Sequence, residues 1–128
     1  MLPYGISRPM PRTSLLIRLS HDDAARIHAE ASSEYRSVSG YLLHVLDLSF
    51  RIEERVVREA SESLLSKQAR AVVGPQDKKL HTAVHLRCTV EQAARIREHA
   101  ARRQLSIGDF VVFSLRRLWS AVERLHGR

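Results

Sequence analysis

The chain has 128 residues, one cysteine and a formal net charge of +7. The length fits one compact domain, and a single cysteine excludes an internal disulfide. No apolar run approaches the roughly 20 residues that span a membrane, and no Cys/His cluster has the spacing of a zinc site. We therefore expect a cytoplasmic protein without a metal or cofactor, and the basic balance favours a polyanionic partner such as nucleic acid.

The chain contains the same unit twice. Thr13–Phe50 aligns without a gap on Thr82–Trp119 at a constant offset of 69, and nine of the 38 positions are identical. A unit of this size rarely supplies a sufficient core alone, so the copies are expected to pair, either with each other or with copies in another chain. The predicted organisation is an arm (1–12), a first repeat (13–50), a connecting segment (51–79) and a second repeat (80–128).

The N-terminal arm, residues 1–12, contains three prolines and one glycine. This composition predicts a flexible segment, and it lacks the apolar core of a secretory signal. Arg8 and Arg12 in the arm are candidates for contacts with nucleic acid.

Each repeat begins with a short strand in which apolar and polar residues alternate, a pattern typical of a half-buried strand. The predicted inner face contains Leu15, Ile17 and Leu19 in the first copy and Val84, Leu86 and Cys88 in the second. The predicted exposed face contains Ser14, Leu16 and Arg18 in the first copy and Ala83, His85 and Arg87 in the second.

Two helices follow the strand in each repeat. Ser20 and Thr89 are the predicted N-caps of the first helix, whose apolar positions are mostly alanines. The N-caps predicted for the second helix are Ser37 and Ser106. This second helix is the more apolar of the two and buries a stripe along one face. Each repeat is therefore predicted to be a strand followed by two helices.

The helical pattern continues from the first repeat into the connecting segment without a break. Ile52, Val56, Ala60 and Leu64 follow at four-residue spacing. One long helix is therefore predicted to reach about residue 72 and to end at Gly74-Pro75. The part 51–73 is either a simple linker or a surface for self-association or for a protein partner.

Positive charge is concentrated in the second half of the chain. Residues 1–64 contain 8 Lys/Arg and 9 Asp/Glu, a net of −1, and residues 65–128 contain 13 and 5, a net of +8, which together give +7. The pairs Arg102-Arg103 and Arg116-Arg117 are typical of solvated faces, whereas Lys78 and Lys79 are candidates for phosphate contacts. The second repeat is thus predicted to supply most of the attraction to a polyanion.

Two such units resemble the ribbon-helix-helix superfamily of Arc/MetJ-type repressors. The similarity rests on four short pieces that keep their order and spacing, namely Ile17–Ser20, Leu86–Thr89, Arg36–Leu42 and Leu105–Phe110. It covers the two 38-residue repeats, about three fifths of the chain. Tyr35 and Gln104 stand where the family often has a glycine between its helices.

The resemblance implies a mostly α fold with a short two-stranded antiparallel β-ribbon, built as a tandem β-α-α pseudo-dimer within one chain. It implies that the six exposed ribbon residues read bases, and a two-stranded ribbon does fit the major groove of DNA. It also implies that the N-termini of the second helices contact phosphates, which agrees with the affinity of helix N-termini for anions. The residues placed there are Ser37, Val38, Ser39, Ser106, Ile107 and Gly108.

The predicted function is sequence-specific binding of double-stranded DNA, most simply by a transcriptional repressor that is not an enzyme and is associated with the nucleoid. Because the copies differ, the ribbon inserted into the major groove is predicted to be asymmetric. One alternative is an antitoxin-type protein that binds both DNA and a toxin partner. Another is a protein-interaction module that has lost DNA binding.

Overall fold

A computed structural model of the protein describes residues 11–56, 62–74 and 81–126. Seven elements follow one another, namely β1 (Arg12–Ser20), α1 (His21–Ser33), α2 (Val38–Val56), α3 (Glu62–Val73), β2 (His81–Thr89), α4 (Val90–Arg102) and α5 (Ile107–Leu125). The described part of the chain is thus mostly helical, with one two-stranded antiparallel sheet. None of the described helices combines the length and the hydropathy needed to cross a bilayer.

The strands β1 and β2 pair with each other over their full length. The register places Leu16 opposite His85 at the centre of this β-ribbon. Burial alternates strictly over residues 14–19 of β1 and 83–88 of β2. The buried face consists of Leu15, Ile17, Leu19, Val84, Leu86 and Cys88, which confirms the inner face predicted from the sequence.

The first helix of each repeat begins at its predicted cap. The Ser20 hydroxyl accepts a hydrogen bond from the Asp23 N–H at 3.1 Å. The Thr89 hydroxyl accepts from the Gln92 N–H at 3.0 Å, and the Gln92 side chain accepts from the Thr89 N–H at 2.8 Å. The second arrangement is a capping box, which satisfies two donors at the start of α4.

The turn between the two helices of each repeat contains one residue in the left-handed backbone conformation. Tyr35 has a φ of 56° and Gln104 a φ of 55°. The Arg36 N–H donates to the Ala31 carbonyl at 2.9 Å, and the equivalent hydrogen bond closes the second turn. Both turns are therefore Schellman motifs. The two non-glycine residues adopt the conformation that usually favours glycine, at a cost of about 1 kcal/mol each.

A single cluster of buried apolar side chains joins the inner face of the ribbon to α1, α2, α4 and α5. Trp119 lies in this core, and its Nε1 donates to the Tyr41 hydroxyl at 2.9 Å. Cys88 is fully buried, and burial raises the pKa of its thiol. Cys88 therefore has the packing role predicted by its place on the inner face of the strand.

The connecting segment differs from the predicted single helix. Ser49 in α2 accepts from the Ser114 hydroxyl at 2.8 Å, and the carbonyl of Val73 in α3 accepts from the Arg116 guanidinium. A straight helix would separate Ser49 from Val73 by about 36 Å, yet both contact the same turn of α5. The described parts α2 and α3 are therefore two separate helices, and α3 packs against α5. Gly74 ends α3 as predicted, with a φ of 65°, and the following proline lies outside the described residues.

The apolar spacing in this segment does not mark a buried stripe. Ile52 and Leu64 are exposed, whereas α3 buries Leu65, Ala69 and Val73. The four-residue spacing predicted a helix correctly, but the buried side of α3 is set by its contact with α5, which the spacing does not reveal.

A buried histidine makes the stability of the fold depend on pH. The His99 ring stacks on Phe50 with 4.5 Å between centroids. Burial lowers the pKa of His99, and the charges of Arg102 and Arg95 lower it further. The protonated ring is therefore disfavoured in the fold, while the unfolded chain binds a proton near the ordinary pKa of about 6.5.

We expect the stability associated with His99 to be complete above about pH 6.5 and to decrease below it, by at most about 1.4 kcal/mol per pH unit. His99→Leu should flatten the dependence of the unfolding free energy on pH between 7 and 5, measured by urea titration. The matched change His28→Leu, at an exposed position of α1, should keep it. An unchanged slope in His99→Leu would contradict the assignment.

Candidate nucleic-acid interface

The outer face of the β-ribbon brings together all six side chains predicted to face solvent. They are Ser14, Leu16, Arg18, Ala83, His85 and Arg87, and each is exposed. Leu16 keeps 49% of its surface accessible, which is unusual for a leucine in a strand. The predicted base-reading residues therefore form one continuous surface.

The outer residues form three close cross-strand pairs. The Ser39 hydroxyl, from α2, donates to the His85 carbonyl at 3.3 Å and accepts from the Arg87 N–H at 2.9 Å. These backbone groups therefore point away from β1, so His85 and Arg87 belong to non-hydrogen-bonded pairs. Such pairs bring the Cα atoms to about 4.5 Å and the side chains closest together. Leu16 and Ser14 are the partners of these two residues.

The two ribbon arginines lie at opposite ends of the outer face. Arg18 is opposite Ala83, and Arg87 is opposite Ser14. Four strand positions separate the two pairs, or about 13 Å. Within the described residues neither guanidinium takes part in an ion pair. Both are therefore available for the bidentate contact that arginine makes with guanine.

The N-termini of α2 and α5 flank the ribbon. The Ser37 hydroxyl accepts from the Gly40 N–H at 3.0 Å, and the Ser106 hydroxyl accepts from the Asp109 N–H at 3.1 Å, so both predicted caps are confirmed. The first two N–H groups of each helix have no acceptor within the helix. They belong to Val38 and Ser39 in α2 and to Ile107 and Gly108 in α5.

Each of these N-termini lies against one strand. Ser39 holds α2 to β2 through its hydroxyl, so this side chain is already hydrogen-bonded and only its N–H remains for a phosphate. Gly108 occupies the equivalent position in α5, where a Cβ atom would lie 3.8 Å from the Arg18 carbonyl oxygen. Both predicted phosphate-contacting segments are therefore adjacent to the outer face of the ribbon.

The two ends of the ribbon differ in charge. A groove beside α2, which we call the α2 groove, is lined by Arg12, Arg87, Leu43 and the segment 37–40. Arg12 belongs to β1 rather than to the arm, and its equivalent at the other end is His81. Asp109 lies in the first turn of α5, whereas the first turn of α2 contains no acidic residue. The α2 end is therefore the more electropositive.

The sequence contains a sign, not used above, that Arg12 belongs to the strand β1. Arg12 lies two residues before Ser14, and residues two apart in a strand lie on the same face, so Arg12 belongs to the outer face. The assignment of residues 1–12 to a flexible arm concealed this alternation.

Four arginines of the second half form ion pairs with acidic residues of the first half. Arg103 and Glu53 form a buried ion pair, with exposures of 1% and 3% for their side chains. Further pairs between the halves join Arg117 to Glu53 at 2.8 Å, Arg116 to Asp23 at 3.0 Å and Arg95 to Glu54 at 2.6 Å. The prediction that Arg103 lies on a solvated face is wrong, because its charge is neutralised inside the fold. Charge excess in the sequence therefore does not by itself locate a surface for DNA.

Lys78, Lys79 and Arg8 lie outside the described residues, so the phosphate contacts predicted for them stay predictions. The described residues contain no group of three or more side chains that could hold a metal ion. Comparisons with family models, curated proteins and solved structures found no match to the chain.

Proposed function

We propose that this protein is a ribbon-helix-helix DNA-binding protein, most simply a transcriptional repressor, whose two repeats form a pseudo-dimer within one chain. The observation that carries the proposal is the exposed ribbon face, which presents, between two helix N-termini, two arginines that form no ion pair with any described residue. Such a protein acts on nucleoid DNA in the cytoplasm.

The pseudo-dimer is supported by contacts that occur twice across the boundary between the repeats. Arg26 stacks over Trp119 at 4.4 Å and pairs with Glu123 at 3.1 Å. The equivalent contacts, displaced by 69 residues, join Arg95 to Phe50 at 4.6 Å and to Glu54 at 2.6 Å. Each repeat therefore makes the same contact on the other, as expected for an approximate twofold axis.

The strand register agrees with the same axis. Leu16 lies opposite His85, which is its own equivalent at an offset of 69. A twofold axis through the centre of the ribbon therefore passes between these two residues. The axis relates Arg18 to Arg87, so the two arginines meet the two halves of a DNA site in equivalent ways.

In the proposed mechanism the ribbon lies in the major groove, where arginine binds guanine through O6 and N7. The amide groups at the N-termini of α2 and α5 bind phosphates on the two sides of the groove. The Arg12 guanidinium adds a charge-assisted contact at the α2 end. Phosphate contacts of this kind fix the position of the protein, and the ribbon side chains supply the sequence preference.

The double variant Arg18→Ala/Arg87→Ala tests the proposal. Each lost guanine contact is expected to reduce discrimination by about 1–3 kcal/mol, and the fold should persist because both residues are exposed. The measurement is fluorescence anisotropy with a duplex selected from a random pool and with a scrambled duplex, at several salt concentrations. Binding of the wild type should weaken steeply as salt increases.

The matched control is Arg51→Ala/Arg97→Ala, which removes the same charge at exposed positions outside the ribbon. This control should retain the preference for the selected duplex. Equal affinity of the ribbon variant and the wild type for that duplex would refute the reading role. A wild type without any affinity for DNA would favour the interaction module, and capture of a toxin would favour the antitoxin.

A further inference from the structure

The exposed ribbon face has equivalent arginines on both sides of an asymmetric centre. Arg18 and Arg87 are equivalent, and each is opposite a small residue. The two residues beside the twofold axis are Leu16 and His85, which differ completely in chemistry. In a ribbon formed by two identical chains these central residues would have to be the same.

We infer that one molecule reads a non-palindromic DNA site in a single orientation, with Leu16 and His85 as the residues that determine the orientation. The site has two guanines in inverted symmetry, one for each arginine. Between them, Leu16 contacts a thymine methyl group on one strand, and His85 donates a hydrogen bond to a guanine edge on the other. This inference rests on the proposed function.

The central pair is placed to act on neighbouring bases. Leu16 and His85 form a non-hydrogen-bonded pair, the type in which side chains are closest. The arginines are about 13 Å apart along the ribbon, or about four base-pair steps at 3.4 Å each. The guanines should therefore flank a short central segment over which only Leu16 and His85 project.

The chemistry of each central side chain defines what it can read. Leu16 has no polar atom, and the thymine methyl is the apolar group that a base pair presents in the major groove. Over a G·C pair, Leu16 would remove water from polar base edges without replacing their hydrogen bonds. His85 has a ring N–H that matches the N7 and O6 acceptors of guanine. The two residues therefore prefer different bases.

The distribution of cations also distinguishes the two ends of the ribbon. Arg12 and Arg87 lie together in the α2 groove. At the other end the equivalent positions contain His81 and Arg18. Reversing the molecule on its site would therefore exchange an end with two guanidinium groups for an end with one, as well as exchanging Leu16 and His85.

The experiment is selection of bound duplexes from a random pool by the full chain and by two variants that equalise the centre. Leu16→His gives two central histidines, and His85→Leu gives two central leucines. The wild type should enrich a motif with inverted guanines and an asymmetric centre. Each variant should enrich a motif with a palindromic centre and should lose affinity for the wild-type site by about 5- to 150-fold. Both positions are exposed, and circular dichroism verifies that the variants fold.

The control is Ser14→Ala, which makes the end pairs of the ribbon identical but leaves the centre unchanged. Its selected motif should keep the asymmetric centre. A palindromic motif for the wild type, or unchanged motifs for the two central variants, would overturn the inference while leaving DNA binding intact. Failure of the wild type to enrich any duplex would overturn the proposed function as well.

Discussion

Replacing Glu53 by alanine is expected to lower the free energy of unfolding by about 3–5 kcal/mol. The Glu53 carboxylate lies between two arginines, one of which, Arg103, is buried in the core. It accepts from Arg103 and, at 2.8 Å, from Arg117. The guanidinium of Arg117 also donates to the Ser49 hydroxyl at 2.7 Å and stacks over Phe113 at 4.5 Å. Removing the carboxylate leaves the Arg103 charge buried without its counter-ion, which explains the size of the effect.

Urea unfolding monitored by circular dichroism measures this change. The matched control is Glu54→Ala, because Glu54 is the next residue and also pairs with an arginine, but on the surface. We expect a much smaller loss for the control, because an exposed ion pair contributes little to stability. Replacing the whole cluster, as in Glu53→Leu/Arg103→Met/Arg117→Leu, should recover most of the loss, because it leaves no uncompensated charge. A loss in Glu53→Ala no larger than in Glu54→Ala would show that the cluster is solvated.

Leu86→Ala is expected to destabilise the protein by about 2–5 kcal/mol. Leu86 is fully buried on the inner face of β2 and contributes to the shared core. Truncation removes apolar contact and leaves a cavity between the ribbon and the helices, which a two-stranded sheet cannot close by shifting one strand. The same unfolding assay measures the effect.

The matched variant is Leu16→Ala, an identical chemical change on the opposite face of the same ribbon. It should alter stability by less than about 0.5 kcal/mol while changing the preferred DNA sequence. Leu86→Ala should instead destabilise the protein without changing the preferred DNA sequence, because Leu86 lies on the inner face of the ribbon. Equal destabilisation by the two variants would contradict the assignment of the ribbon faces.

The features that the sequence predicted well are those set by local chemistry or by the repeat. Strand alternation fixes the face on which Leu86 and Leu16 lie, because successive side chains point to opposite sides. The caps at Ser20 and Thr89 depend on hydrogen bonds between residues three apart, so they can be recognised in the printed sequence. The pairing of Leu16 with His85 agrees with the repeat offset of 69, because the two residues are equivalent positions of the two copies.

The features that escaped prediction depend on contacts between distant residues. The helical spacing of 51–73 contains no information about the return of α3 to α5. In the sequence, Arg103 is part of a basic pair. Its burial is explained only by its ion pair with Glu53, which lies 50 positions earlier in the chain. Tyr35 and Gln104 adopt a left-handed conformation because the Schellman hydrogen bonds and the packing of both helices outweigh the local strain.

The pairing of β1 with β2 inside one chain has a consequence for behaviour at low abundance. A ribbon assembled from two chains disappears on dilution, because its formation follows mass action. Tethered units instead meet at an effective concentration that does not depend on how many molecules a cell contains. Under the proposed function, occupancy of a DNA site should therefore rise with the first power of protein concentration, without the threshold that a dimerisation step introduces. A few copies of this protein per cell would retain the complete β-ribbon.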